Sequence, residues 1–146
     1  MDSIARFCRG RRVLDVGCGR GTWSALLSLA GCDVKSCDSF DDGQFREEDC
    51  IVQAHVADGP EFVSSNSKKG DVLLLNWPPY WNDMAEESLE VFRGDRLVYI
   101  GEDWGGCTAT DGFFDMLDRG WRIVESVPLR NFHGICDSVR MYKSQM

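Results

Sequence analysis

Residues Val13-Leu14-Asp15-Val16-Gly17-Cys18-Gly19-Arg20-Gly21 join a short apolar stretch carrying one acid to three glycines at alternate positions. Thr22-Trp23-Ser24-Ala25-Leu26-Leu27 then opens a segment with helical spacing. A strand that turns through glycines into a helix brings its backbone close to a nucleotide-like ligand, because no Cβ stands between them. A dinucleotide fingerprint requires its third glycine at position 22, and that residue is Thr. The lone acid, Asp15, needs a partner of its own, since an unpaired carboxylate in an apolar strand is costly.

Periodicity extends this start into an alternating pattern. The spacing predicts a helix over 3–9, strands at 11–16, 33–38, 51–57, 71–76 and 96–101, and helices from Thr22, over 59–67 and over 83–93. Trp23, Leu26, Leu27 and Ala30 form the expected buried stripe of the glycine-linked helix. About a dozen polar residues separate the second and third strands, so the crossover there is reduced to a turn or loop. Thr110 is placed to cap a helix reaching Arg119. Segments 121–127 and 138–142 then follow one another with no helix between, which predicts an antiparallel pair. The expected fold is α/β: a seven-stranded, mostly parallel Rossmann-like sheet with a C-terminal antiparallel hairpin and helices on both faces, in one domain spanning 1–146.

The spacing Asp15-x-Gly17-x-Gly19-x-Gly21 resembles motif I of class I S-adenosylmethionine (SAM) dependent methyltransferases, and the order of elements extends that resemblance over nearly the whole chain. The resemblance implies that SAM is the cofactor and that it sits at the C-terminal edge of the sheet. It implies that Gly17, Cys18, Gly19 and Gly21 shape the loop beneath it. Asp15 then meets the ammonium of its methionine moiety, or else caps backbone beneath the glycine loop. Asp38, ending the second strand, accepts the ribose hydroxyls in preference to Asp41 or Asp42, with Ser39 and Phe40 beside the cofactor. Ala57 and Asp58 read the adenine, or Asp58 caps the next helix ahead of Pro60; both roles are compatible.

Asn76-Trp77-Pro78-Pro79-Tyr80-Trp81 follows the fourth strand and resembles the Asn/Asp-Pro-Pro-Tyr/Phe motif of methyltransferases acting on planar amino groups. Here Trp77 stands immediately before the prolines and Asn76 is displaced by one. An indole N–H donates and cannot accept from an amino group, so base methylation loses its usual orienting group. Asn76 and Trp77 are expected beside the cofactor, Trp77, Tyr80 and Trp81 are candidates to line the acceptor pocket or face the methylsulfonium, and Asn76 and Tyr80 are candidate catalytic residues. His133 in the hairpin loop, Glu102 and Asp103 are candidates to dispose of the proton.

The net charge of −8 argues against unaided nucleic-acid binding. Arg6, Arg9, Arg11 and Arg12 read as a solvated cluster. Seven cysteines at irregular spacing, with only two histidines, leave no zinc pattern and no other metal site, and most are expected as small buried hydrophobes. No apolar run approaches the roughly 20 residues of a membrane span, and the N-terminus has no signal-peptide pattern, so a reducing, cytoplasmic setting is expected. The expected function is methyl transfer to a nitrogen or oxygen acceptor, with a protein partner or a second copy completing the substrate site. The alternative is an inactive SAM-fold subunit supporting a partner methyltransferase.

Overall fold

The computed structural model describes residues 1–146. Its elements run α1 (Asp2–Cys8), β1 (Arg12–Val16), α2 (Thr22–Leu29), β2 (Asp33–Asp38), β3 (His55–Val56), α3 (Gly59–Asn66), β4 (Val72–Asn76), α4 (Met84–Val91), β5 (Arg96–Gly101), α5 (Asp111–Gly120), β6 (Trp121–Pro128) and β7 (Ser138–Ser144). They form one seven-stranded sheet in the order β3-β2-β1-β4-β5-β7-β6. The first five strands are parallel, and β7 pairs antiparallel with both β5 and β6.

Parallel strands covered on both faces need near-continuous apolar runs, and β1, β4 and β5 supply them. Their side chains alternate between two cores. Val13, Val72, Leu74, Val98 and Ile100 pack with Ile4 and Phe7 of α1 and Leu27 of α2. Leu14, Leu73, Leu75, Leu97 and Tyr99 pack on the opposite face with side chains of α3, α4 and α5. Each fully buried Leu or Val contributes about 2 kcal/mol, so the central strands hold the sheet. The helices therefore cover both faces, as the sequence predicts. Thr110 caps α5, its Oγ1 accepting the Phe113 N–H at 3.3 Å.

Three expectations are corrected. The third strand is His55–Val56 alone, not 51–57. Residues 51–54 leave the sheet because the glycine loop recruits them. The Ile51 N–H donates to the Arg20 carbonyl at 2.9 Å, and the Val52 side chain fills the space where a Cβ on Gly21 would be. The stripe of α2 is also rotated: Ser24 and Leu27 are buried, Trp23 is half-buried, Leu26 is 42% exposed and Ala30 is exposed. Ser24 turns inward because it serves the buried Asp15. Of the seven cysteines, all free, only Cys8 and Cys37 are buried.

Of the N-terminal arginines, Arg11 and Arg12 are tied into the fold, whereas Arg6 and Arg9 are exposed. Arg12 pairs with Asp71 at 2.6 Å, Arg11 with Asp95 at 2.5 Å and Arg6 with Glu125 at 3.4 Å. No helix is long and apolar enough to cross a membrane.

Candidate active site

The chain runs outward from β1 through β2 to β3, then returns to place β4 against the other side of β1. At such a switch point the loops diverge and leave a crevice at the strand C-termini. A cavity of about 960 Å³ occupies it, near the upper end of the 300–1,000 Å³ range typical of small-molecule sites.

Its floor is the β1–α2 loop. Gly17, Gly19 and Gly21 have φ of 70°, 55° and 77°, a region that side-chain-bearing residues rarely adopt. The Gly17 and Cys18 N–H groups both donate to the Cys37 carbonyl at 3.0 Å, fastening the loop to β2. Asp38 completes the fastening. Its Oδ2 accepts from Gly19 N–H at 2.8 Å and its Oδ1 from Phe40 N–H at 2.9 Å. A carboxylate offers about four lone-pair positions, so two acceptor sites remain. Burial and the neighbouring Asp15 push the Cys18 thiol well up, which keeps it protonated and non-nucleophilic.

Asp15 lies beneath this floor, 1% exposed. Its Oδ2 accepts from Ser24 Oγ at 2.5 Å, while its Oδ1 is buried with no partner. Burial, partly offset by the Ser24 bond, pushes its carboxyl up to about 6.

The opposite wall is the β4–α4 loop. Trp77 holds φ 50° and is pinned from three directions. Its backbone N–H donates to the Ile100 carbonyl at 2.8 Å, and its indole Nε1–H donates to Asp137 Oδ2 at 2.7 Å. The adjacent Pro78 carbonyl accepts from Ala109 N–H at 2.9 Å. These contacts leave Trp77, Tyr80 and Trp81 exposed at the mouth, the last two meeting edge to face with centroids 5.4 Å apart.

Most of the sequence candidates converge here. Gly17, Cys18, Gly19, Asp38, Ser39, Ala57, Asp58, Asn76, Trp77 and Tyr80 all line the cavity, the Ala57 N–H donating to the Asp38 carbonyl at 3.0 Å. Asp58 also caps α3, its Oδ1 accepting Glu61 N–H at 3.2 Å. Asp15 and Gly21 support the floor without lining it.

Three other expectations change. Phe40 does not line the cavity; Phe45 does, its ring 3.1 Å from where a Cβ on Gly19 would sit. His133 is exposed in the β6–β7 loop and is not part of the lining. Nor do Glu102 and Asp103 face the cavity. Glu102 accepts from Cys107 N–H at 2.6 Å and Cys136 N–H at 3.2 Å, which hold its carboxyl below the usual range, and Asp103 pairs with Arg140 at 2.8 Å. Sequence reasoning missed Phe45, Trp23 and Glu87 in the lining. Phe45 carried one available signal, being the lone aromatic among the polar residues 41–49.

No protein-family model matches the sequence, and no curated protein matches it. Solved structures do match. The N-methyltransferase NodS from Bradyrhizobium japonicum WM9 superposes with a TM-score of 0.66 at 13% identity, over 99% of this chain and 94% of that one. Magnesium protoporphyrin IX methyltransferase (ChlM) from Synechocystis PCC 6803, with bound SAM, gives 0.64 at 16% identity over 97% and 76%. A SAM dependent methyltransferase from Archaeoglobus fulgidus gives 0.61 at 14% over 97% and 90%. The chain has the Rossmann-like fold of these solved methyltransferases.

Proposed function

We propose that the protein is a SAM-dependent methyltransferase acting on a nitrogen or oxygen acceptor. The observation that carries the reading is the cavity at the switch point, floored by positive-φ glycines and edged by Asp38. The residues present fit the cofactor. The glycine floor admits close approach, Asp38 retains acceptor sites for two ribose hydroxyls, and Asp15 keeps a buried oxygen without a partner. That oxygen lies beneath the lining and suits a cation reached through water, which the methionine ammonium provides. Ala57 and Asp58 line the same cavity and are the residues assigned to the adenine.

SAM supplies a methyl group already activated by a positive sulfonium. What remains for the chain is to hold donor and acceptor in line and to keep competing water out. Trp77, Tyr80 and Asn76 form the acceptor-side wall for that task. The lining holds no histidine or lysine, so proton removal falls to solvent or to the carboxylates at the mouth.

Calorimetric titration with SAM and with NAD tests the cofactor. Saturable binding of SAM alone is expected, and binding of NAD alone refutes the reading. Labelled SAM with the protein in cell extract, followed by mass spectrometry of whatever gains a methyl group, tests the transfer. SAM binding with no methylated product anywhere favours the inactive-subunit alternative, which the altered Asn76-Trp77-Pro78-Pro79 pattern motivates.

A further inference from the structure

The cavity is acidic on both sides, but its carboxylates are not alike. Six line it, against Arg20 as the one basic residue. Asp38, Asp41, Asp42 and Asp58 each take a donor from their own chain. Asp83 and Glu87, across from the glycine floor, take no side-chain hydrogen bond and no ion pair. The Glu87 N–H donates to the Asp83 carbonyl at 2.8 Å, so the two acids are one helical turn apart on the same face. Asp83 is the N-cap of the Met84–Val91 helix and Glu87 lies in its first turn, where the helix dipole tolerates acids, and the helix contains no Lys or Arg to pair with them. The pair is left without a counterion at the mouth of the cavity. Trp77, Tyr80 and Trp81 line the same cavity with exposed rings.

We propose that the methyl acceptor is an amine that is cationic at neutral pH, drawn in by Asp83 and Glu87 and by the faces of these three aromatics. The proposal rests on the methyltransferase reading and names its substrate class. Aromatic faces attract cations through their quadrupole, and a cleft of one sign concentrates an oppositely charged ligand. The same field opposes acceptors carrying phosphate or carboxylate. In the transfer the ammonium first releases one proton to solvent through the open mouth. Its freed lone pair forms the bond to the methyl carbon, and the carbon–sulfur pair stays on sulfur. The acceptor ends as a methylated ammonium, with total charge conserved.

Three probes of one shape separate charge from shape: tryptamine, tryptophol and indole-3-propionate share an indolylethyl body and carry an ammonium, a hydroxyl and a carboxylate. Calorimetry on the full chain should show tryptamine binding about ten-fold tighter than tryptophol. Indole-3-propionate should bind most weakly. Asp83→Asn with Glu87→Gln should bring tryptamine down to the affinity of tryptophol, and added salt should narrow the gap in the parent chain. Both residues are exposed, and a cooperative thermal transition confirms that the double variant folds. Equal binding of the three probes, tighter binding of the anion, or no binding of any overturns the acceptor class. SAM titrated into the same sample separates the two levels. If SAM binds and the charge preference is absent, only the acceptor class falls; if SAM does not bind, the methyltransferase reading falls and takes the acceptor with it.

Discussion

Asp15→Asn should make the protein more stable at neutral pH while weakening its hold on SAM. The carboxyl is raised from its ordinary 3.8 to about 6, chiefly by burial beneath the glycine loop. A folded chain that binds the proton more tightly than the unfolded one is favoured by this group at low pH. That favour is complete below about pH 3.8 and is lost as the pH rises through about 6. Above that the ionised carboxylate costs the fold roughly 3 kcal/mol, taking about 1.4 kcal/mol for each pH unit between the two values. This is a ceiling, because an Asn amide at the same place also finds only Ser24 within reach.

Urea unfolding of both proteins from pH 4.5 to 8 reads the difference directly, since every other titrating group is common to the two. The variant should be the more stable by about 1–3 kcal/mol at pH 8, and the gap should close as the pH falls through 6. SAM should invert the ranking. A ligand ammonium near the orphaned oxygen favours the carboxylate, so the parent chain should gain more from saturating SAM than the variant does. A stability gap that stays constant across this range refutes the assignment of a buried, raised carboxyl. Equal stabilisation of both proteins by SAM refutes the link between Asp15 and the cofactor.

Other positions test the same floor and the loops around it. Gly21→Ala places a Cβ 2.5 Å from Val52 Cγ2 at φ 77°, and thermal unfolding should show a loss of about 1–3 kcal/mol; an unchanged midpoint contradicts the close packing of 50–54 on the loop. Asp38→Ala removes both carboxylate bonds that set the loop, and calorimetry should show SAM binding weakened at least about ten-fold. Retained affinity would assign the ribose contact elsewhere. Glu102→Ala should speed hydrogen exchange at the Cys107 and Cys136 amides, with little effect in α1 on the far side of the fold. Because its carboxyl is held below the usual 4.5, the support Glu102 gives is present above that value and fades as the pH falls through its lower folded value.

The features legible in the sequence are those that local chemistry determines. The bounds 33–38 and 96–101 agree with β2 and β5 because each is a short run with nothing competing for its backbone. The glycine loop was legible because glycines at alternate positions before a helix mark backbone that needs positive φ and close approach. The segment 51–57 alternates well enough to read as a strand, yet Val52 and Ile51 are claimed by Gly21 and Arg20, residues about thirty positions away in sequence. Ser24 misleads in the same way. Helical periodicity assigns the inward face to Trp23 and Leu26, but a buried carboxylate requires a hydroxyl, and that requirement rotates the helix. Phe40 and His133 lie outside the lining for another reason, since a loop side chain has no periodic face from which its direction could be read.

The division between cofactor and acceptor sides has the same physical origin. The floor is made of backbone: glycine φ values, N–H groups on Cys37 and Asp38, and one acid beneath. Backbone chemistry leaves a mark in sequence as glycine spacing. The acceptor wall is made of side chains on the β4–α4 loop and is held by distant partners. Trp77 reaches Asp137, Pro78 receives Ala109, and Glu102 joins Cys107 to Cys136. These bonds link the loops after β4, β5 and β6 into one unit. If Trp77 lines the acceptor site as proposed, the hairpin acts on acceptor specificity without touching the cavity, through Asp137 fixing the Trp77 ring. Asp137→Ala should release that ring, whereas Asp137→Asn keeps an oxygen acceptor for the indole N–H and should preserve it. If the Ala variant binds tryptamine as the parent does while the Trp77 indole resonance shows its hydrogen bond lost, the wall does not depend on the hairpin. Loss of tryptamine affinity in the Ala variant alone, with SAM affinity intact in both, is the outcome that the linked loops require.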